Sequence, residues 1–251
     1  MRDWHRLFGL TLIDYFLDSP YVVELETDLS VTEQLLDVVI IEQADGTFKG
    51  ELPDGLGDLG RHNLLTYKSL RQPLDAWALD ELVGHYVNYR KQRSPSQQRL
   101  LPVDEFRLYG VSTREPQKLK RQVPVTRLQQ GVYEVQWGIH PIRIIVTSQV
   151  PQAPNNAIWQ LFSGLPEQVR YGAGEFHWHR TDHASLLQQL YTNYVEEGIT
   201  MAYTWNNFFR EVTREHLHEL PPEERLAGLG PEELKILLEK LRDLQQQQQQ
   251  N

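Results

Sequence analysis

The sequence predicts an α/β fold: a central mixed β-sheet flanked by helices, followed by a helical C-terminal extension. Three observations lead there. Residues 1–150 interleave two amphipathic helical runs with several apolar runs of strand length. One of these, QLLDVVIIEQ, is so continuously β-branched that it reads as a strand buried on both faces. From about Pro151 onward the apolar spacing becomes that of helices. The expected organisation is therefore a core over 1–150 and a helical region over 151–251, which ends in the low-complexity run QQQQQQN.

In chain order, Trp4, Leu7, Phe8, Leu12, Tyr15 and Phe16 recur at three- and four-residue spacing, which predicts a helix stopped by Ser19-Pro20. YVVELE follows as a strand with Val22, Glu24 and Glu26 on one face, then QLLDVVIIEQ as a second strand. ADGTFKGELPDGLGDLG is a glycine- and acid-rich excursion, and HNLLTYKS a third strand. A long helix is expected from Pro73, with proline in its first turn and basic residues at its end. EFRLYGVST, VYEVQW and IRIIVTS read as further strands, the last two around a Gly138 to Pro141 turn. The later helical runs are NNAIWQLFSG, HASLLQQLYTNYVEEG, TWNNFFREVTREHLHEL and PEELKILLEKLRDL.

With 251 residues and 40% hydrophobic composition, the chain can bury a full core. The absence of cysteine excludes disulfides, thiolate zinc sites and a cysteine nucleophile, and agrees with a reducing compartment. The opening stretch contains Asp3 and Asp14 and lacks a continuous apolar core, so it reads as neither a signal peptide nor a membrane span, and the expected location is cytoplasmic. The net charge of −9 is unevenly spread. Residues 1–60 hold 13 acids against 3 bases, whereas 61–128 hold 13 bases against 6 acids. Folded together, these segments could set carboxylates beside a phosphate-attracting surface, or simply pair as solvated faces.

Asp37 and Lys68 each interrupt an apolar strand, where a charge is costly unless it is paired, hydrogen-bonded or bound to a metal. An aspartate on one strand and a lysine on the next suit metal-assisted phosphodiester hydrolysis. Carboxylates hold Mg²⁺, and a cation stabilises charge developing on phosphate. The plainer alternatives are that Asp37 caps a loop or pairs with Arg61, that Lys68 reaches water from a strand end, or that the two pair with each other.

The segments DWHRLFGLTLIDYF, VVELETDLS, QLLDVVII, LPDGLGDLGRHNLLTYKS and LDAWALDELVGHYVNYRKQ, spanning about Trp4 to Lys91, resemble a PD-(D/E)XK nuclease-superfamily core. In particular they resemble bacterial proteins allied to the recombination-promoting nuclease and transposase families. The resemblance implies a restriction-endonuclease-like fold and a divalent-metal-dependent nuclease acting on DNA in a mobile-element or recombination setting. Asp37 would be the metal ligand, Lys68 the catalytic lysine, and Mg²⁺ or Mn²⁺ the cofactor. The sequence departs from the pattern at Thr66, which stands where the acid of the acid-x-lysine element belongs, and a hydroxyl is a poorer cation ligand than a carboxylate. Thr66 is then read as holding a metal-bound water, and Glu24 is the first candidate for the missing carboxylate. Asp14, Glu51, Asp54 and Asp58 follow it, whereas Glu42 points away from Asp37. The alternative is a catalytically degenerate protein that keeps the fold as a DNA- or protein-binding module and self-associates through its C-terminal helices.

A basic set, Arg90, Lys91, Arg93, Arg99, Arg114, Lys118, Lys120 and Arg121, is interleaved with Tyr86, Tyr89, Phe106 and Tyr109. Cations and rings together suit a nucleic-acid surface, with Arg90, Lys91 and Arg93 the expected contacts; the alternative is a solvated helix end with its aromatics in the core. In FHWHRTDH, His177 and His179 lie two apart without an evident fourth ligand, so a zinc site is not expected. GELPDGLGDLG lacks the Gly-Lys-Ser/Thr of a phosphate loop, and no Gly-x-Ser-x-Gly elbow is present.

Overall fold

The first helix, α1 (Trp4–Tyr15), forms because Trp4, Leu7, Phe8 and Leu12 share a face, and all four are buried. The computed structural model describes residues 4–28, 35–42, 46, 48–179 and 183–199, with 210, 230, 234, 235 and 238. It divides into two units, Met1–Trp205 and Asn206–Asn251, and the description below concerns the first. The helical runs read at TWNNFFREVTREHLHEL and PEELKILLEKLRDL lie almost entirely outside the described residues, as does the glutamine tail.

Three strands follow α1 as an antiparallel meander: β1 (Tyr21–Asp28), β2 (Leu35–Glu42) and β3 (His62–Lys68). Helix α2 (Ala76–Arg93) then crosses over to β4 (Phe106–Ser112), which runs parallel to β3. After a short helix, α3 (Gln117–Gln122), come β5 (Val125–Gln129), β6 (Val132–Trp137) and β7 (His140–Val146), and β7 lies parallel to β4. Together they make one seven-stranded mixed sheet in the order β1-β2-β3-β4-β7-β6-β5. Helices α4 (Ala157–Leu161), α5 (Pro166–Glu175) and α6 (His183–Glu196) complete the unit. The α/β architecture with a mixed sheet and flanking helices is as the sequence predicts. No helix among the described residues is long and apolar enough to cross a membrane.

Both faces of the sheet are covered. Val39, Ile41, Leu64, Leu108, Ile142 and Ile144 point to α2 and pack on Leu79, Leu82, Tyr86 and Tyr89. The alternate residues face α1 and α4: Phe8 stacks on Tyr67 with ring centroids 4.5 Å apart and lies 6.1 Å from Trp159. Burial of each such side chain is worth about 1.5–3 kcal/mol, so this double-sided core dominates the stability. Gly9 lets α1 lie directly on the sheet, since a Cβ there would sit 2.1 Å from Leu25 Cδ2. Trp4 Nε1 donates to Glu197 Oε1 at 2.7 Å in a buried hydrogen bond that joins the first turn of α1 to the residue after α6.

Three local details differ from the sequence expectation. Helix α2 begins at Ala76, not in a turn containing Pro73, because the Asp75 side chain caps it by accepting from Ala78 N at 3.2 Å. Pro73 instead precedes buried Leu74, which packs against Gly110 of β4. Strand β5 escaped notice because it is almost wholly exposed and shows no apolar alternation. Helix α5 did so because it buries small residues: Gly172 lies so close to α4 that a Cβ would be 2.7 Å from Ala157 O.

Candidate functional site

The site forms at the end of β3, on the face covered by α2. Residue parity in the strands decides which side chains gather there. The antiparallel register that sets Val38 opposite Leu65 and Val39 opposite Leu64 brings Asp37 beside Thr66, and Lys68 follows on the same face two residues later. This end of the sheet is also the carboxyl end of the parallel strands β3, β4 and β7, the edge at which open α/β sheets carry their ligands.

Asp37 is largely buried, its side chain 14% exposed, and both its oxygens are engaged. Oδ2 accepts from Thr66 Oγ1 at 2.9 Å and from Tyr67 N at 2.8 Å. Oδ1 lies 2.7 Å from Nδ1 of His5, which reaches in from the first turn of α1. At this distance a protonated ring and the carboxylate form an ion pair. The opposite ring nitrogen, Nε2, is 3.2 Å from Gln72 Oε1, an oxygen that also accepts from Ser69 N at 3.3 Å and therefore cannot donate back. Acceptors thus face both nitrogens, an arrangement that favours the protonated ring.

The electrostatics agree. Burial disfavours the charged form of His5, but the Asp37 carboxylate outweighs it and raises the histidine pKa above its ordinary value. Burial likewise pushes Asp37 up, yet His5, the Tyr67 N–H and Lys68 together hold its carboxyl below the usual range. Lys68 extends toward α2, where its Nζ lies 3.9 Å from Glu81 Oε2. His5, Asp37, Lys68 and Glu81 thus form a row of alternating charge. His85, one turn beyond Glu81, sits beside the row; burial lowers its pKa, and its Nδ1 has no hydrogen-bond partner.

These residues do not fit a Mg²⁺ site. A hard cation needs several oxygen ligands with free lone pairs, and both oxygens of Asp37 already face donors or a cation. Thr66 points its hydroxyl proton at Asp37. Glu24 shares the α2 face but is paired with Arg93 at the other end of α2. Asp14 is buried and accepts from His179 N, Asp54 from Asn156, and Asp58 from Arg107. Among the described residues, no three histidine, aspartate or glutamate side chains are arranged to hold a metal.

The three basic residues expected to contact nucleic acid have different surroundings. Arg90 donates to Leu101 O and to Tyr86 Oη, tying the end of α2 to the following loop. Arg93 pairs with Glu24 and lies over the Tyr89 ring, 5.2 Å from its centroid. Lys91 is exposed. The two paired histidines, His177 and His179, have perpendicular rings 5.2 Å apart, while Asp182 lies outside the described residues.

Sequence reasoning found Asp37, Thr66 and Lys68 but missed His5, Gln72, Glu81 and His85. Glu81 and His85 carry a usable signal, since their four-residue spacing puts both on one face of α2. His5 carries none: nothing in the sequence says that α1 delivers residue 5 to residue 37. Arg61, considered as a partner of Asp37, lies 3.7 Å from Glu105 instead. No family model, curated protein or solved structure matches the chain.

Proposed function

We propose that the first unit is a PD-(D/E)XK-like scaffold in which the metal-holding aspartate has become a structural cross-link, so that the protein binds DNA without cutting it. The observation that carries this reading is the engagement of Asp37. Its lone pairs are directed at Thr66, the Tyr67 N–H and His5, where a nuclease would direct them at a cation. The scaffold reading draws support from the order of parts: a strand bearing the aspartate, its neighbour bearing the lysine, then a helix over the site. DNA as partner rests on the resemblance and on the basic segment 61–128.

A second reading, the metal-dependent nuclease, is favoured by one observation: Asp37, Thr66 and Lys68 share one sheet face at the strand ends. Incubation of the full chain with supercoiled plasmid and Mg²⁺, Mn²⁺ or EDTA separates the two, alongside Asp37→Ala and Lys68→Ala. The binding reading expects a gel shift of labelled duplex and no nicking above the level of the variants. Metal-dependent nicking abolished by both substitutions would establish the nuclease, and absence of any gel shift would remove DNA as the partner.

A further inference from the structure

Beside the Asp37 site, at the same edge of the sheet, the loop from β3 to α2 and the loop from β4 to α3 enclose a cleft of about 540 Å³. Three cations line it: Arg71 from the first loop, Arg114 and Lys118 from the second loop and the start of α3. The carboxylate that faces them, Glu115, is already paired with Lys120. Arg71 is positioned by donating to the backbone oxygen of Glu197 at 3.0 Å. Arg114 and Lys118 are exposed and have no acidic partner among the described residues. Buried Leu74 and Pro116 supply an apolar floor.

Like charges converging on one concavity repel one another, and a cleft that gathers three of them beside a single, already paired acid gains most from an anion. Two guanidinium forks and an ammonium match the oxygens of a phosphate, and an apolar floor suits a sugar or base. The volume is that of a small-molecule site. We infer that this cleft binds the phosphate of a nucleotide unit, either as a free nucleotide or as part of a nucleic-acid strand. The inference is independent of whether the Asp37 site cleaves, because it uses none of the residues of that row.

The test uses the full chain with two probes, adenosine triphosphate by calorimetry and a short fluorescein-labelled single-stranded oligodeoxynucleotide by anisotropy. Arg114→Ala/Lys118→Ala is compared with Lys49→Ala/Arg127→Ala, which removes two exposed cations elsewhere. The cleft variant should lose at least about tenfold in affinity for the probe that binds, with a shallower salt dependence, while the control changes little. Loss for triphosphate alone identifies a nucleotide site, and loss for the oligonucleotide identifies a strand site. No binding of either probe, or equal losses in both double variants, would overturn the inference.

Discussion

Replacement of Asp37 by alanine is the most direct probe of the cross-link. The substitution leaves the Thr66 hydroxyl and the Tyr67 N–H without their acceptor and His5 without its counter-charge. A hydrogen bond to a charged acceptor is worth about 1.5–3 kcal/mol, and breaking one side of a buried ion pair costs about 3–5 kcal/mol. These contributions share one carboxylate and do not add. With a side chain only 14% exposed, Asp37→Ala should therefore lose about 3 kcal/mol. For a unit of this size that corresponds to a fall of roughly 6–12 °C in Tm. Asp37→Asn keeps an acceptor for the Tyr67 N–H and should cost about half as much, ~1.5 kcal/mol. Urea unfolding monitored by tryptophan fluorescence measures both, and a cycle with His5→Gln isolates the pairwise coupling. A variant as stable as the parent, or more stable, would refute the cross-link: carboxylates kept for catalysis are held at a cost to stability, and their removal relieves it.

Four further outcomes follow from the same structure. The pairing of His5, whose pKa is raised, contributes in full below about pH 6.5 and fades as pH rises through the raised value, so His5→Gln should destabilise most at mildly acidic pH and least once the pH has passed the raised value in paired urea titrations. Asp37 sets the lower edge of that window: its contribution is present above the ordinary carboxylate range and is lost as pH falls through its lowered pKa, which Asp37→Asn should abolish in acid unfolding. Gly131→Ala should cost about 2–5 kcal/mol by calorimetry, because φ is +75° there and a Cβ would meet Val150 N at 2.6 Å. Glu24→Gln should cost less than about 1 kcal/mol, since both partners of the Glu24–Arg93 pair are more than a third exposed or close to it.

Much of the sheet was legible because its signals are local. Val38 to Ile41 announce a doubly buried strand, and a period of two in β2 and β3 suffices to place Asp37, Thr66 and Lys68 on one face once the register is fixed. What was not legible depends on docking angles between elements far apart in sequence. His5 meets Asp37 only because Gly9 allows α1 to settle on Leu25, and the reach of Lys68 to Glu81 depends on where Asp75 starts α2. The partner of Arg93, Glu24, lies 69 residues earlier and was assigned to a metal for want of any sign that α2 ends above β1. Helix α5 and strand β5 were missed for the opposite reason, since their packing uses small residues or hardly any burial.

The hydrogen bond between Trp4 and Glu197 has a consequence for synthesis. In synthesis α1 leaves the ribosome before two of the groups that its first turn packs on, Glu197 and Tyr194, which emerge almost two hundred residues later. Domains fold as their parts become available, so the contacts of Trp4 with Glu197 and Tyr194 form only once nearly the whole first unit is out of the exit tunnel. His5 rides on that turn. The seating of that turn against the end of α6 therefore bears on how firmly His5 is held against Asp37.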